Sequence, residues 1–176
     1  MSNGSLLRAD GVSRSRTWET LVSDVASRSG VGDGDFLFER LREEAARAAR
    51  HRLPLALVVF NLDVPGASGP ALDALTRAAV LLARSMVRHS DVVASLGYGH
   101  FGVVANATED GAGTLADSVT RELQAFEFTC ADSQLRIQVR YGLSCLRDGK
   151  TPRDLFDEAR AALEIQSPAP EFQGQC

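Results

Sequence analysis

Arg88 and Asp91 stand three residues apart in Arg88-His89-Ser90-Asp91, and five residues separate Asp91 from the glycine-rich run Gly97-Tyr98-Gly99-His100-Phe101. A guanidinium presents a fork of N–H donors and a carboxylate only acceptors, so together they can grip a partner that offers both. The same residues also suit a structural role. An arginine in the last turn of a helix meets the helix dipole favourably, and an aspartate just after it closes a turn. Either role places both side chains at an exposed helix end, where substitutions are mild. His100 has the chemistry of a metal ligand or general base, but no carboxylate or second histidine stands at ligand spacing from it, so a plain hairpin histidine is the better reading. Asp63, after an apolar run, reads as the residue that ends a strand and caps the next turn.

These residues need elements to hold them. Leu37, Leu41, Ala45 and Ala48 form an apolar stripe over residues 36–52, with Glu43 and Arg47 as a favourable acid-before-base pair. Glu39, Glu43 and Glu44 interleave with the arginines there, which reads as a solvated, ion-paired face rather than an anion site. Pro54 ends that helix. Residues 55–60 are continuously apolar, as in a central strand covered on both faces. A turn-rich stretch at 64–70 precedes Leu72, Leu75, Ala79, Leu82 and Met86, which predict a long helix ending near Arg88. Residues 92–94 and 101–105 read as strands joined by the turn at 97–99. Leu115, Val119 and Leu123 mark a helix over 111–125, and residues 126–130 and 135–143 read as a second antiparallel pair around Ala131-Asp132-Ser133. Thr151 as N-cap, Pro152 and Asp154 open the last helix, whose buried stripe is Leu155, Ala159, Ala162 and Leu163. Trp18, Leu21, Val22 and Val25 suggest a short amphipathic helix near the start, in core or interface, while both ends are polar.

At 176 residues and 44% apolar content the chain suits one domain with short extensions. Its net charge of −4, with acids and arginines interspersed, provides no basic stripe for duplex DNA or RNA, so no nucleic-acid partner is expected. No apolar run is long enough to span a bilayer and the start lacks signal-peptide features, so a cytoplasmic protein without a membrane partner is expected. Cys130, Cys145 and Cys176 are widely spaced and read as reduced thiols.

Several of these segments, in order and spacing, resemble the GGDEF domains of bacterial diguanylate cyclases. Arg88-His89-Ser90-Asp91 is similar to that family's Arg-x-x-Asp product-binding motif, and Gly97-Tyr98-Gly99-His100-Phe101 stands where the GGDEF signature falls. Ser29-Gly30-Val31-Gly32-Asp33 resembles the opening Thr-Gly-Leu-x-Asn, and residues 54–63 the first strand, which normally ends in Asp-x-Asp. Val139-Arg140-Tyr141-Gly142-Leu143-Ser144 resembles the late Val-Ser-Ile-Gly-x-Ala strand, and residues 155–163 the closing helix. The resemblance implies an α/β sandwich with a central, largely antiparallel sheet flanked by helices. It places an N-terminal extension at 1–28, the domain at 29–167 and a tail at 168–176.

What it implies about chemistry is mixed. The family's two metal-binding acids fall at Asn61 and Gly99, its signature glutamate at His100, and its second signature glycine at Tyr98, where a phenol would crowd the nucleotide. The Phe-Lys-x-x-Asn-Asp region is replaced by residues 64–70, and Ser167 stands where the family carries a phosphate-binding lysine. No metal or cofactor is therefore expected. The product-binding pair survives: an arginine can donate to guanine O6 and N7 while an aspartate accepts from the Watson–Crick-edge N–H groups. The expectation is a catalytically inactive signalling domain that binds cyclic di-GMP through Arg88 and Asp91, with Arg121 a candidate for the second arginine the family often supplies from another surface. The alternative is a nucleotide-independent interaction module that meets a signalling protein or forms a homodimer, and an active cyclase comes third.

Overall fold

The computed structural model describes residues 32–67, 69–130 and 133–165. The expectations for residues 1–31, for Ser167 and for the tail at 168–176 lie outside the described residues.

Helix α1 (Gly34–His51) begins where the Asp33 carboxylate accepts the Phe36 amide at 3.0 Å, satisfying a first-turn donor that has no partner within the helix. It ends at Arg52, which takes the left-handed conformation with φ 51° and returns its amide to the Ala48 carbonyl. Strand β1 (Ala56–Asp63) is the continuous apolar run, extended to Asp63. Helix α2 (Pro70–Met86) opens with proline in its first turn, where no N–H is needed, and stops at Val87. Strands β2 (Val92–Gly97) and β3 (His100–Ala105) form a hairpin, and α3 (Glu109–Gln124) is capped by the Thr108 hydroxyl. Helix α4 (Pro152–Ile165) follows a reciprocal cap in which Thr151 Oγ1 accepts the Asp154 amide and the Asp154 carboxylate accepts the Thr151 amide.

The run over 135–143, expected as one strand, is two. Strand β5 (Ser133–Arg136) pairs with β4 (Glu127–Cys130) in a separate two-stranded sheet, and β6 (Gln138–Cys145) leaves that pair to join β1. The physical reason is the buried edge of β1, whose amides and carbonyls need partners on both sides. Alternation marks a strand, but it does not say which strand it pairs with.

The main sheet has the order β2-β3-β1-β6 with every neighbouring pair antiparallel, so β1 is interior as its apolar run requires. Helices cover both faces. One face buries Val58, Phe60, Phe101 and Val103 with Leu75, Ala79 and Val119 of α2 and α3. The other buries Leu57, Val59, Ala94 and Val104 with Leu37 and Leu41 of α1 and Leu155 and Ala159 of α4. This is the expected α/β sandwich with an antiparallel sheet flanked by helices.

Three details fix how the strands and layers sit. Phe60 and Phe101, opposite one another in register, stack at 4.6 Å between ring centres. Gly142 lies so close to α4 that a Cβ there would stand 1.9 Å from the Ala159 carbonyl oxygen, so only glycine permits this helix-to-strand approach. Tyr141 donates its phenol to Asp117 of α3 at 2.7 Å, and that bond, with burial adding to it, pushes its pKa up to about 12.

Candidate functional site

The β2–β3 hairpin turns through Tyr98 and Gly99, both with positive φ (51° and 79°), the backbone that matches a tight turn to the twist of the strands. Glycine adopts this freely and tyrosine does not. The Tyr98 side chain is 86% exposed at the tip. At Gly99 a Cβ would come within 2.8 Å of the Leu62 carbonyl oxygen, while the Leu62 amide donates to the Gly99 carbonyl at 2.7 Å.

Just below the turn, His100, Asn61 and Arg140 are cross-strand partners on β3, β1 and β6. Side chains alternate along a strand, so this row faces the side of Val59, opposite to Phe60. The three are joined. Arg140 donates from Nη2 to Asn61 Oδ1 at 3.1 Å, Asn61 Nδ2 lies 3.1 Å from His100 Nε2, and His100 Nδ1 lies 3.0 Å from the Tyr98 carbonyl. The carbonyl can only accept and the amide nitrogen only donate, so Nδ1 carries the imidazole proton and Nε2 accepts from Asn61. Arg140 drew attention in the sequence only as part of a strand motif. The missed signal was its register opposite Asn61, which no single strand reveals.

The donor set does not fit a pair of magnesium ions. Magnesium takes hard oxygen ligands, usually with carboxylates among them. Here Asn61 gives its oxygen to Arg140, Gly99 has no side chain, His100 is turned to its own turn and to Asn61, and a guanidinium completes the row. Asp63 is exposed at the end of β1, opposite Gln138. Among the described residues no group of three or more His, Cys, Asp or Glu side chains gathers in one place.

Arg88 and Asp91 part company. Asp91 is buried, at 5% exposure, contrary to the expected exposed helix end. Its two carboxylate oxygens accept the amides of Arg88 at 3.1 Å and Asn106 at 3.2 Å, and its own amide donates to the Arg88 carbonyl at 3.0 Å. Asp91 thus closes the turn between α2 and β2 and ties it to the end of β3, while Arg84 donates to its carbonyl at 3.2 Å. Arg88 is exposed, and its guanidinium makes no hydrogen bond or ion pair among the described residues. It borders a cavity of about 290 Å³ that Asp91, Asn106, Thr114 and Ser118 also line. Arg121, in the last turn of α3, is exposed and does not line this cavity. On its other side Asp91 meets a cleft of about 320 Å³ with Arg40, Arg47, Arg84 and His89 on its walls. No described helix is long and apolar enough to cross a membrane.

Comparison with known proteins agrees with the fold. The family model described as diguanylate cyclase, GGDEF domain, matches residues 71–169, more than half of the chain. No curated protein matches the sequence. Among solved structures, a sensory box/GGDEF family protein from Caulobacter crescentus CB15 is similar at 26% identity and a TM-score of 0.67, over 77% of this chain and 92% of that one. The coiled coil and GGDEF domain of DgcB from Caulobacter crescentus, in complex with c-di-GMP, shares the fold at 13% identity and a TM-score of 0.62, over 77% and 75%. The diguanylate cyclase SiaD from Pseudomonas aeruginosa, in complex with its activator SiaC, shares it at 21% identity and a TM-score of 0.62, over 84% of this chain and 60% of that one.

Proposed function

We propose, for a chain that belongs to the diguanylate cyclase GGDEF domain family, a cyclic di-GMP signalling role as a receptor that does not condense GTP to cyclic di-GMP. The observation that carries the inactive half of this reading is the Arg140–Asn61–His100 row. Phosphoryl transfer by two metals gathers negative charge to hold cations against an anionic triphosphate. This row gathers neutral groups and one positive charge.

The receptor half rests on Arg88. An exposed guanidinium with no partner among the described residues, beside a cavity lined by the Asn106 amide and the hydroxyl oxygens of Thr114 and Ser118, suits a guanine edge. Asp91 contributes chiefly by holding the turn that aims Arg88, since both its oxygens already accept backbone amides. A DgcB domain of the same fold is seen with c-di-GMP, which supports the choice of ligand.

Calorimetric titration with cyclic di-GMP, and separately with GTP and magnesium, tests both halves. Cyclic di-GMP is expected to bind, and Arg88→Ala to weaken it by about 1–3 kcal/mol, roughly 5- to 150-fold. Equal binding by Arg88→Ala sinks the receptor reading, and metal-dependent turnover of GTP sinks the inactive one. A second reading has its own observation. Because Asp91 is already committed to the backbone, the motif can persist for structure alone, in a module that meets a partner protein or a second copy; silence toward both nucleotides is the result expected of it.

A further inference from the structure

Away from the hairpin, a groove of about 1070 Å³ runs between the C-terminal half of α1 and the loop that leads from β6 into α4. Its floor is apolar, with Ala45 and Ala49 on the helix, Leu146 opposite, and Leu53, 41% exposed, at the end. Its rim is cationic, with Arg42 and Arg52 along α1 and Arg147 and Lys150 on the loop, against the single acid Asp148. The loop pair is partly neutralised, because Arg147 bridges Glu109 at 3.2 Å and Lys150 bridges Glu158. Arg42 and Arg52 form no ion pair among the described residues. The uncompensated charge therefore lies along α1.

We propose that this groove docks an acidic amphipathic helix of a partner protein. Small side chains on α1 let another helix approach closely, Leu53 and Leu146 offer apolar contact, and the free guanidinium groups select acids on the incoming face. Arg42 and Arg52 are ten residues apart, about 15 Å along the axis at 1.5 Å per residue. The partner thus carries acids about three turns apart beside its apolar stripe. The chain's own first 31 residues fit poorly, with four arginines against three acids. The site is separate from Arg88, so its fate does not depend on nucleotide binding.

The test uses a fluorescein-labelled helical model peptide of leucine and glutamate, its leucine and lysine counterpart, and fluorescence anisotropy with the full chain. The glutamate peptide should bind saturably and the lysine peptide should not. Arg42→Ala with Arg52→Gly should weaken binding by about tenfold, since two rim charges are removed, while Arg88→Ala leaves it unchanged. Glycine suits φ 51° at position 52, so the double variant keeps its fold and a matching melting temperature confirms that. Leu53→Asp should weaken binding as well. The proposal is overturned by no saturable binding to wild type, by equal binding of the lysine peptide, by unchanged affinity in the double variant, or by a self-associated dimer that the double variant dissolves, which would make the occupant a second copy.

Discussion

Arg140 donates a hydrogen bond to the side-chain oxygen of Asn61 at 3.1 Å, and the two stand in register on neighbouring strands. A positive charge therefore sits against the position at which the family resemblance expects a metal-binding carboxylate. In Asn61→Asp, the new acid is met first by Arg140, and an ion pair at this distance competes with any metal for its charge.

Acids at both positions are accordingly not expected to suffice. Asn61→Asp with Gly99→Asp should produce no cyclic di-GMP from GTP and magnesium, read by chromatography of the reaction. The second substitution also strains the fold, because position 99 has φ 79° and its Cβ would meet the Leu62 carbonyl oxygen at 2.8 Å. A loss of about 1–3 kcal/mol in chemical unfolding is expected from it. Robust turnover by the double variant would show that the row is not the obstacle.

Asp91 and Arg88 should separate in stability experiments. Asp91→Ala leaves the amides of Arg88 and Asn106 without their acceptor in a buried place, at a cost of about 1–3 kcal/mol for each amide that water cannot reach. Arg88→Ala removes an exposed side chain and should change the unfolding midpoint little. Equal midpoints for the two variants would contradict the assignment of Asp91 to the turn.

Gly142→Ala is expected to be among the most damaging small changes in the sheet. Its methyl group has no room against the Ala159 carbonyl and the Leu163 amide, both backbone atoms of α4, so the helix must move. The expected loss is about 3 kcal/mol or more, with α4 the first element to lose amide-exchange protection. At Gly102 the atom in the way is the tip of the Leu37 side chain, which can rotate, so Gly102→Ala should be milder.

Stability should fall on the acid side through the cap of α4. The hydrogen bonds from Thr151 hold the Asp154 carboxyl below its ordinary pKa, and those from Lys150 and then Ser144 do the same for Glu158. A depressed folded-state pKa means that the unfolded chain binds the proton first as pH drops. The stabilisation is thus complete above the ordinary carboxylate range near about pH 4, and is lost as pH falls through the lower folded values. Urea unfolding at steps from pH 6 to pH 2 should show Asp154→Asn with a flatter acid limb than wild type.

The sequence determined the elements and the face each presents. Apolar residues at helical spacing placed α1, α2, α3 and α4 to within about two residues at most ends, because burial of one stripe is a local property of spacing. The interior place of β1 was legible for the same reason, since the unbroken apolar run over 55–60 must be covered on both faces. That positions 61 and 99 carry Asn and Gly, where the family resemblance expects acids, was equally legible in the sequence. Three features were decided only by the tertiary structure. The division of 135–143 between two sheets depended on which open edge needed a partner. The burial of Asp91 depended on the Asn106 amide, fifteen residues away in sequence. The Arg140–Asn61–His100 row depended on register across three strands, which brings together residues from distant segments. A periodic pattern records which side of an element faces the core, and pairing, register and close approach are relations between elements that no single segment encodes.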